Sequence, residues 1–214
     1  MKVGILGSGD VGKVLASGFL KHGYQVMIGT RNASKLENWA TDNPSGKVGS
    51  FAEAAAFGGV IVLAVKGSAA ADVLRTAGTE NINGKPIIDA TNPIDDTSGM
   101  PENGVIKYFT TPDKSLMEQL QEEFAGAHFV KAFNSIGNAV MVNPHFEGGP
   151  PTMFICGNDD QAKAVVNDVL RQFGWEVEDM GKATAARVIE QLCILWCIPG
   201  FLRNQWTHAF KLLK

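Results

Sequence analysis

The sequence is poor in cysteine, in net charge and in long apolar runs, and each shortage excludes something. Its 214 residues include three cysteines, an odd number without metal-ligand clustering. That argues against a disulfide framework and points to a reducing cytoplasm. With 19 Lys and Arg against 22 Asp and Glu, the formal net charge of −3 gives no electrostatic reason to expect nucleic acid or an anionic membrane as partner. No targeting pattern precedes the first apolar stretch, since Met1-Lys2 leads straight into it. The most apolar segment, Leu192 to Leu202, is well short of the ~20 residues a transmembrane helix needs, and Pro199 is expected to break it. Burial in the core or against a second subunit is expected instead, so a homodimer is the predicted assembly. His22, His128, His145 and His208 are scattered, and neither a nucleophile triad nor paired carboxylates can be picked out. No catalytic side chain and no metal ligand is therefore assigned. Cys193 and Cys197, four apart on a predicted helix, read as small buried apolar residues, and Arg187 with Glu190 as a structural pair on the same helix.

What is abundant is glycine, 24 residues, within a 45% hydrophobic composition that suits an α/β protein. The opening stretch organises the chain. Lys2 to Leu6 is a short apolar run rich in β-branched residues, as a buried parallel strand requires. It stops at Gly7-Ser8-Gly9-Asp10-Val11-Gly12, a G-x-G-x-x-G. Val14, Leu15, Gly18 and Phe19 then recur at helical spacing as far as His22-Gly23, and Gln25 to Gly29 is a second apolar run. Strand, glycine turn, helix and strand in this order make a dinucleotide-binding unit: Gly7 permits the tight turn, Gly9 admits a pyrophosphate, and Gly12 lets helix sit on strand. The helix N-terminus offers unpaired N–H groups and a partial positive charge to the phosphates.

The end of the second strand indicates which dinucleotide. NAD sites usually place an acidic residue there to bind the ribose 2′-OH, whereas this chain reads Gly29-Thr30-Arg31-Asn32-Ala33-Ser34-Lys35, with no carboxylate before Glu37. Arg31 offers a planar fork, Lys35 a point charge one helical turn on, and Thr30 and Asn32 neutral donors, a set suited to the doubly charged 2′-phosphate of NADP(H). The competing reading of Arg31 and Lys35 is as ordinary solvated charges.

Further on, Ser50 with Glu53 forms a capping box before an Ala-rich helix, and Val60 to Val65 is a buried fourth strand whose carboxyl end carries Ala64, Val65 and Lys66. Lys66 is placed to touch a phosphate or substrate, or else is a solvated loop residue. A fifth strand, Lys85 to Thr91, breaks at Asn92-Pro93, where Asn92 either bonds the cofactor or shapes the turn. The aperiodic loop from Ile94 to Asn103 is a candidate lid or partner surface. A helix is predicted from Pro112-Asp113 to Phe124, and a sixth strand, His128 to Phe133, leads into Asn134-Ser135-Ile136-Gly137. The Gly/Pro stretch from Glu147 marks a boundary. The prediction is a Rossmann-type doubly wound parallel sheet over residues 1–146, followed by a small α/β and helical extension over 147–214 that holds the acceptor site, a dimer contact or both.

The segments GSGDVG, IGTRN, DATNP, KAFNSIG, FICGNDD and ARVIEQL together resemble the NADPH-dependent reductases of the deazaflavin coenzyme F420 over nearly the whole chain. The pattern is also similar to the soluble oxidoreductase domain of membrane ferric reductases. The resemblance implies a cytoplasmic, usually dimeric protein passing a hydride between NADP(H) and a flavin or deazaflavin, a small-molecule electron acceptor. It implies that Ser8, Gly9, Asp10 and Val11 form the pyrophosphate turn, and that Thr30, Arg31 and Lys35 hold the 2′-phosphate. It sets Ala64, Val65, Lys66, Asn134 and Ile136 beside the nicotinamide. Two positions depart from that family: Lys66 stands where a proline is usual and Asn134 where a histidine is usual. The alternative function is a non-catalytic NADPH-binding sensor or partner module. An imine or hydroxy-acid dehydrogenase is disfavoured, because about seventy residues after Glu147 leave little room for a helical substrate domain.

Overall fold

The computed structural model describes Met1–Lys214, and its centre is one eight-stranded sheet. The strands are β1 (Lys2–Leu6), β2 (Gln25–Gly29), β3 (Lys47–Gly49), β4 (Val60–Leu63), β5 (Pro86–Asp89), β6 (His128–Lys131), β7 (Thr152–Gly157) and β8 (Glu176–Asp179). Their order is β3-β2-β1-β4-β5-β6-β7-β8. The first six are parallel, in the arrangement of a doubly wound nucleotide fold. β7 then runs antiparallel to β6, and β8 parallel to β7, so the C-terminal strands extend the same sheet. The doubly wound α/β fold expected from the sequence is thus present.

Helices cover both faces. On one lie α1 (Asp10–Lys21), α2 (Glu37–Asp42) and α7 (Asp160–Gln172), whose Phe19, Trp39 and Val166 join Val3, Ile5 and Val62 in a core. On the other lie α3 (Phe51–Phe57), α4 (Ala70–Ala77), the single turn α5 (Thr79–Ile82), α6 (Leu116–Glu123) and α8 (Ala186–Arg203), packed on Leu6, Ile61, Leu63 and Phe129. Burial on both faces explains why β4 reads as an unbroken apolar run rather than an alternation.

Two helices differ from expectation. α6 begins at Leu116, not at Pro112-Asp113, because Ser115 and Glu118 form a capping box that sets its first turn. Pro112-Asp113 instead forms the turn inside the Thr111–Lys114 bridge that precedes the helix. α8 does not stop at Pro199; it runs on to Arg203 and ends on Asn204 in the left-handed conformation. Proline removes one donor, to the carbonyl of Leu195, a residue more than half exposed, so the helix loses one bond there and continues. With its leading turn, Ala183–Arg203 is long and apolar enough, by length and composition alone, to cross a membrane. Here its polar members work inward: Glu190 is buried against β6 and the start of α6.

Candidate functional site: a dinucleotide crevice at the carboxyl edge

A cavity of about 650 Å³ opens at the carboxyl ends of β1, β2, β4 and β5. Gly7, Ser8, Gly9, Asp10 and Val11 line it from the first turn, Thr30, Arg31, Asn32 and Lys35 from the second strand's exit, and Ala64, Val65 and Lys66 from the fourth. Twelve of the sixteen residues anticipated for cofactor binding therefore share one wall. Phe51, Ala69, Val73 and Ala90 complete the lining and were not anticipated. Ala69 and Val73 are one helical turn apart and face the cavity together. Their apolar character resembles any core-facing pair, so the sequence held no signal for them.

The three glycines of the turn separate by what surrounds them. A Cβ on Gly7 would lie 2.1 Å from the Ala64 carbonyl oxygen, at a φ of +133° that disfavours side chains, and one on Gly12 would lie 2.2 Å from the Gly7 oxygen. At Gly9 a Cβ would meet nothing within 4 Å, because that position faces the open cavity. Gly9 is also the N-cap of α1, and no side chain caps this helix. The first N–H groups of α1 are thus left for an anion entering above Gly9, so the cradle fits a pyrophosphate.

At the exit of β2, Thr30 Oγ1 donates to Ser8 Oγ at 2.9 Å and joins the two loops. Asn32 Oδ1 accepts from Ser34 N at 3.1 Å and Ser34 Oγ at 2.6 Å, which shapes the turn carrying Lys35. Neither Arg31 nor Lys35 pairs with a carboxylate. Of the cavity's cations only Lys66 does, its Nζ lying 3.0 Å from Asp96 Oδ2. Two unpaired cations beside neutral donors fit a phosphate ester.

Gly12, Asn92, Asn134 and Ile136 do not line this cavity. Gly12 and Ile136 are buried, the glycine beneath the turn. Asn92 and Asn134 brace each other behind the cavity: Asn92 Nδ2 donates to the Asn134 carbonyl at 2.7 Å, and Asn134 Nδ2 donates to Asn92 Oδ1 at 3.2 Å and to the Ile189 carbonyl at 2.8 Å. Asn134 Oδ1, buried, has no protein partner. Phe133, just before it, holds a φ of +63°, a strained conformation for an aromatic residue.

Behind these asparagines lies an ion cluster that sequence reasoning missed. Lys131 Nζ sits 2.7 Å from Asp89 Oδ2, 2.9 Å from Glu190 Oε1 and 3.0 Å from the Thr91 carbonyl, with its side chain fully buried. Glu190 also accepts from the N–H groups of Leu116 and Met117, both at 3.0 Å, at the start of α6. Burial works against the Lys131 ammonium, but the two carboxylates outweigh it and raise its pKa above the ordinary lysine value. The expected Arg187–Glu190 pair is not formed. Arg187 instead grips Glu118 on α6 at 2.7 Å, because Glu190 points inward one helical step away. Three residues from three distant segments carry this cluster, and nothing local in the sequence ties them together.

Cys193 is buried and Cys197 half-buried. Interaction with Cys197, together with burial, holds the Cys193 thiol above the ordinary range, and interaction with Cys193 lowers that of Cys197. No group of three or more His, Cys, Asp or Glu side chains converges as a metal site.

Comparison with known proteins places the crevice in context. Residues 2–93 match the family described as NADP oxidoreductase, coenzyme F420-dependent. The chain is 31% identical over 206 residues to the F420-dependent NADP reductase of Methanothermobacter marburgensis, covering 90% of this chain and 89% of that one. It is 30% identical over 207 residues to the metalloreductase STEAP3 of Rattus norvegicus, covering 94% of this chain but spanning only 39% of that relative's length. Among solved structures, a candidate F420-dependent NADP reductase of Arthrobacter sp. FB24 superposes with a TM-score of 0.94 at 33% identity, each chain fully covered.

Proposed function

Because the chain belongs to the family of coenzyme F420-dependent NADP oxidoreductases, we propose that this NADP-dependent oxidoreductase passes a hydride between NADPH and a flavin or deazaflavin ring. The observation that carries the cofactor half is the free pair Arg31 and Lys35 at the exit of β2, with no carboxylate to satisfy them and none to bind a ribose 2′-OH. When bound, the dinucleotide supplies a hydride from its nicotinamide C4, and the acceptor takes any further proton its reduced form requires from solvent. The protein's own part is positioning. The uncapped start of α1 binds the pyrophosphate, Arg31 and Lys35 bind the phosphoryl group on the ribose, and Ala64, Val65 and Ala90 present a short apolar wall that keeps water from the reacting faces. Holding two rings at about 3–3.5 Å provides much of such a rate, and no nucleophile is needed.

Residues 147–214 are proposed to carry the acceptor side and a contact with a second copy, in a soluble, cytoplasmic homodimer. Support for the second copy is the outer face of α8, where Val188, Leu195 and Leu202 are all more than half exposed along the helix. Sedimentation giving only monomer at micromolar concentration counts against it. The function itself is tested by titrating NADPH and NADH and then following NADPH oxidation with flavin, deazaflavin, ferric and quinone acceptors. Tight NADPH binding with turnover of a flavin or deazaflavin is expected. Binding without turnover on any acceptor would instead identify a sensor.

A further inference from the structure

Three cations line the crevice, and the dinucleotide accounts for only two of them. The strand order sets the loops along the sheet edge as β2, β1, β4, β5, with neighbouring strands about 4.8 Å apart. A dinucleotide with its phosphorylated ribose at Arg31 and Lys35, on β2, and its pyrophosphate over Gly9, on β1, reaches β4 with its nicotinamide half. Lys66 stands at that end, and no phosphate of the cofactor falls to it. Its ammonium lies 3.0 Å from Asp96 Oδ2, in the long loop between β5 and α6.

We infer that Lys66 is a specificity-determining residue that recognises an anionic group, a phosphate or carboxylate, on the side chain of the electron acceptor, exchanging its contact with Asp96 for that anion. The inference rests on the proposed flavin or deazaflavin acceptor and adds the chemistry of its tail. Lys66 and Asp96 are 73% and 45% exposed, and a pair so open to water is held weakly, so an arriving dianion displaces Asp96 at small cost. The loop is suited to presenting Asp96. Its base is fixed by Asp95 N donating to the Lys107 carbonyl and Phe109 N to the Pro93 carbonyl, both at 2.9 Å, and by Tyr108 Oη donating to the Glu190 carbonyl at 2.6 Å. Asp95 is engaged by Thr97, which leaves Asp96 as the carboxylate facing Lys66.

The test compares riboflavin with FMN, and 5-deazariboflavin with its 5′-phosphate, pairs that share a ring and differ only in the tail anion. The wild-type protein is expected to favour the phosphorylated partner in kcat/KM on the order of tenfold, the size of one charge-assisted hydrogen bond, and less at high salt. Lys66→Gln should bring that ratio to about one, and Asp96→Asn, which frees the ammonium, should raise it above wild type. An unaltered ratio in Lys66→Gln overturns the inference. So does a Lys66→Gln variant whose loss lies in NADPH affinity, which would assign the cation to the cofactor's pyrophosphate. Failure of the wild-type protein to reduce any of the four rings overturns the acceptor reading itself, an outcome distinct from turnover with an unchanged ratio.

Discussion

The crevice and the ion cluster behind it use the same kinds of side chain in opposite ways. In the crevice, Arg31 and Lys35 are exposed and unpaired; some residues deeper, Lys131 is wholly buried between Asp89 and Glu190. A solvated cation costs little to keep and keeps its attraction for a phosphate. A buried one must have its charge met at once, since leaving it alone in the interior costs several kcal/mol. Charges meant for a ligand are thus left open at the sheet's edge, whereas those that join β5, β6, α6 and α8 are consumed by one another. The largest expected effects accordingly lie away from the crevice.

Lys131→Met strands two carboxylates inside and should lower stability by about 3–5 kcal/mol in urea unfolding at neutral pH. Adding Glu190→Gln to it should recover part of that loss by removing one stranded charge, and a purely additive double variant would deny that the three groups act as a unit. Glu118 comes next. Burial pushes its carboxyl up, but hydrogen bonds from Arg187 and Ser115 prevail and hold it at about 2. A depressed pKa stabilises the fold at pH values above the ordinary glutamate range, and that contribution is lost as pH falls from about 4.5 toward 2. Glu118→Gln should therefore cost about 2–3 kcal/mol at pH 7, and its unfolding free energy should converge with wild type on acidification. Parallel curves across that window would contradict the assignment.

Within the crevice, Arg31→Ala should weaken NADPH binding by about 1.5–3 kcal/mol and leave NADH nearly unchanged in calorimetric titration. Equal losses for both would remove Arg31 from the 2′-phosphate. Smallest is Arg75→Ala. Arg75 bridges Asp72 and Glu123, each at 2.6 Å, yet more than half of its side chain is in water, so the thermal midpoint should move by the equivalent of less than about 1 kcal/mol.

Much of this was legible in the residues. The glycine turn, the β2 exit and the Ser50–Glu53 capping box, which forms as expected, are signals written within six or seven consecutive positions. Twelve anticipated binding residues converge on one cavity because each lies in the segment that leaves a strand's carboxyl end, and parallel strands bring those ends together. What departs from local pattern does so for one reason. Pro199 signals a break locally, but the residue four positions before it is more than half exposed and the helix tolerates the lost bond. Helical spacing points Arg187 to Glu190, whereas its partner, Glu118, is 69 positions away.

Short-range chemistry determined the alternation of strands and helices, the phosphate cradle and the choice of a phosphorylated dinucleotide, since backbone freedom and local charge act over a few residues. Only tertiary structure decided that Lys131 would meet Asp89 and Glu190, that Asn134 would turn from the cavity toward Asn92 and Ile189, and that Lys66 would face Asp96. The physical reason is burial: a polar group removed from water must find a partner wherever packing brings one, and no pattern along the chain names it in advance.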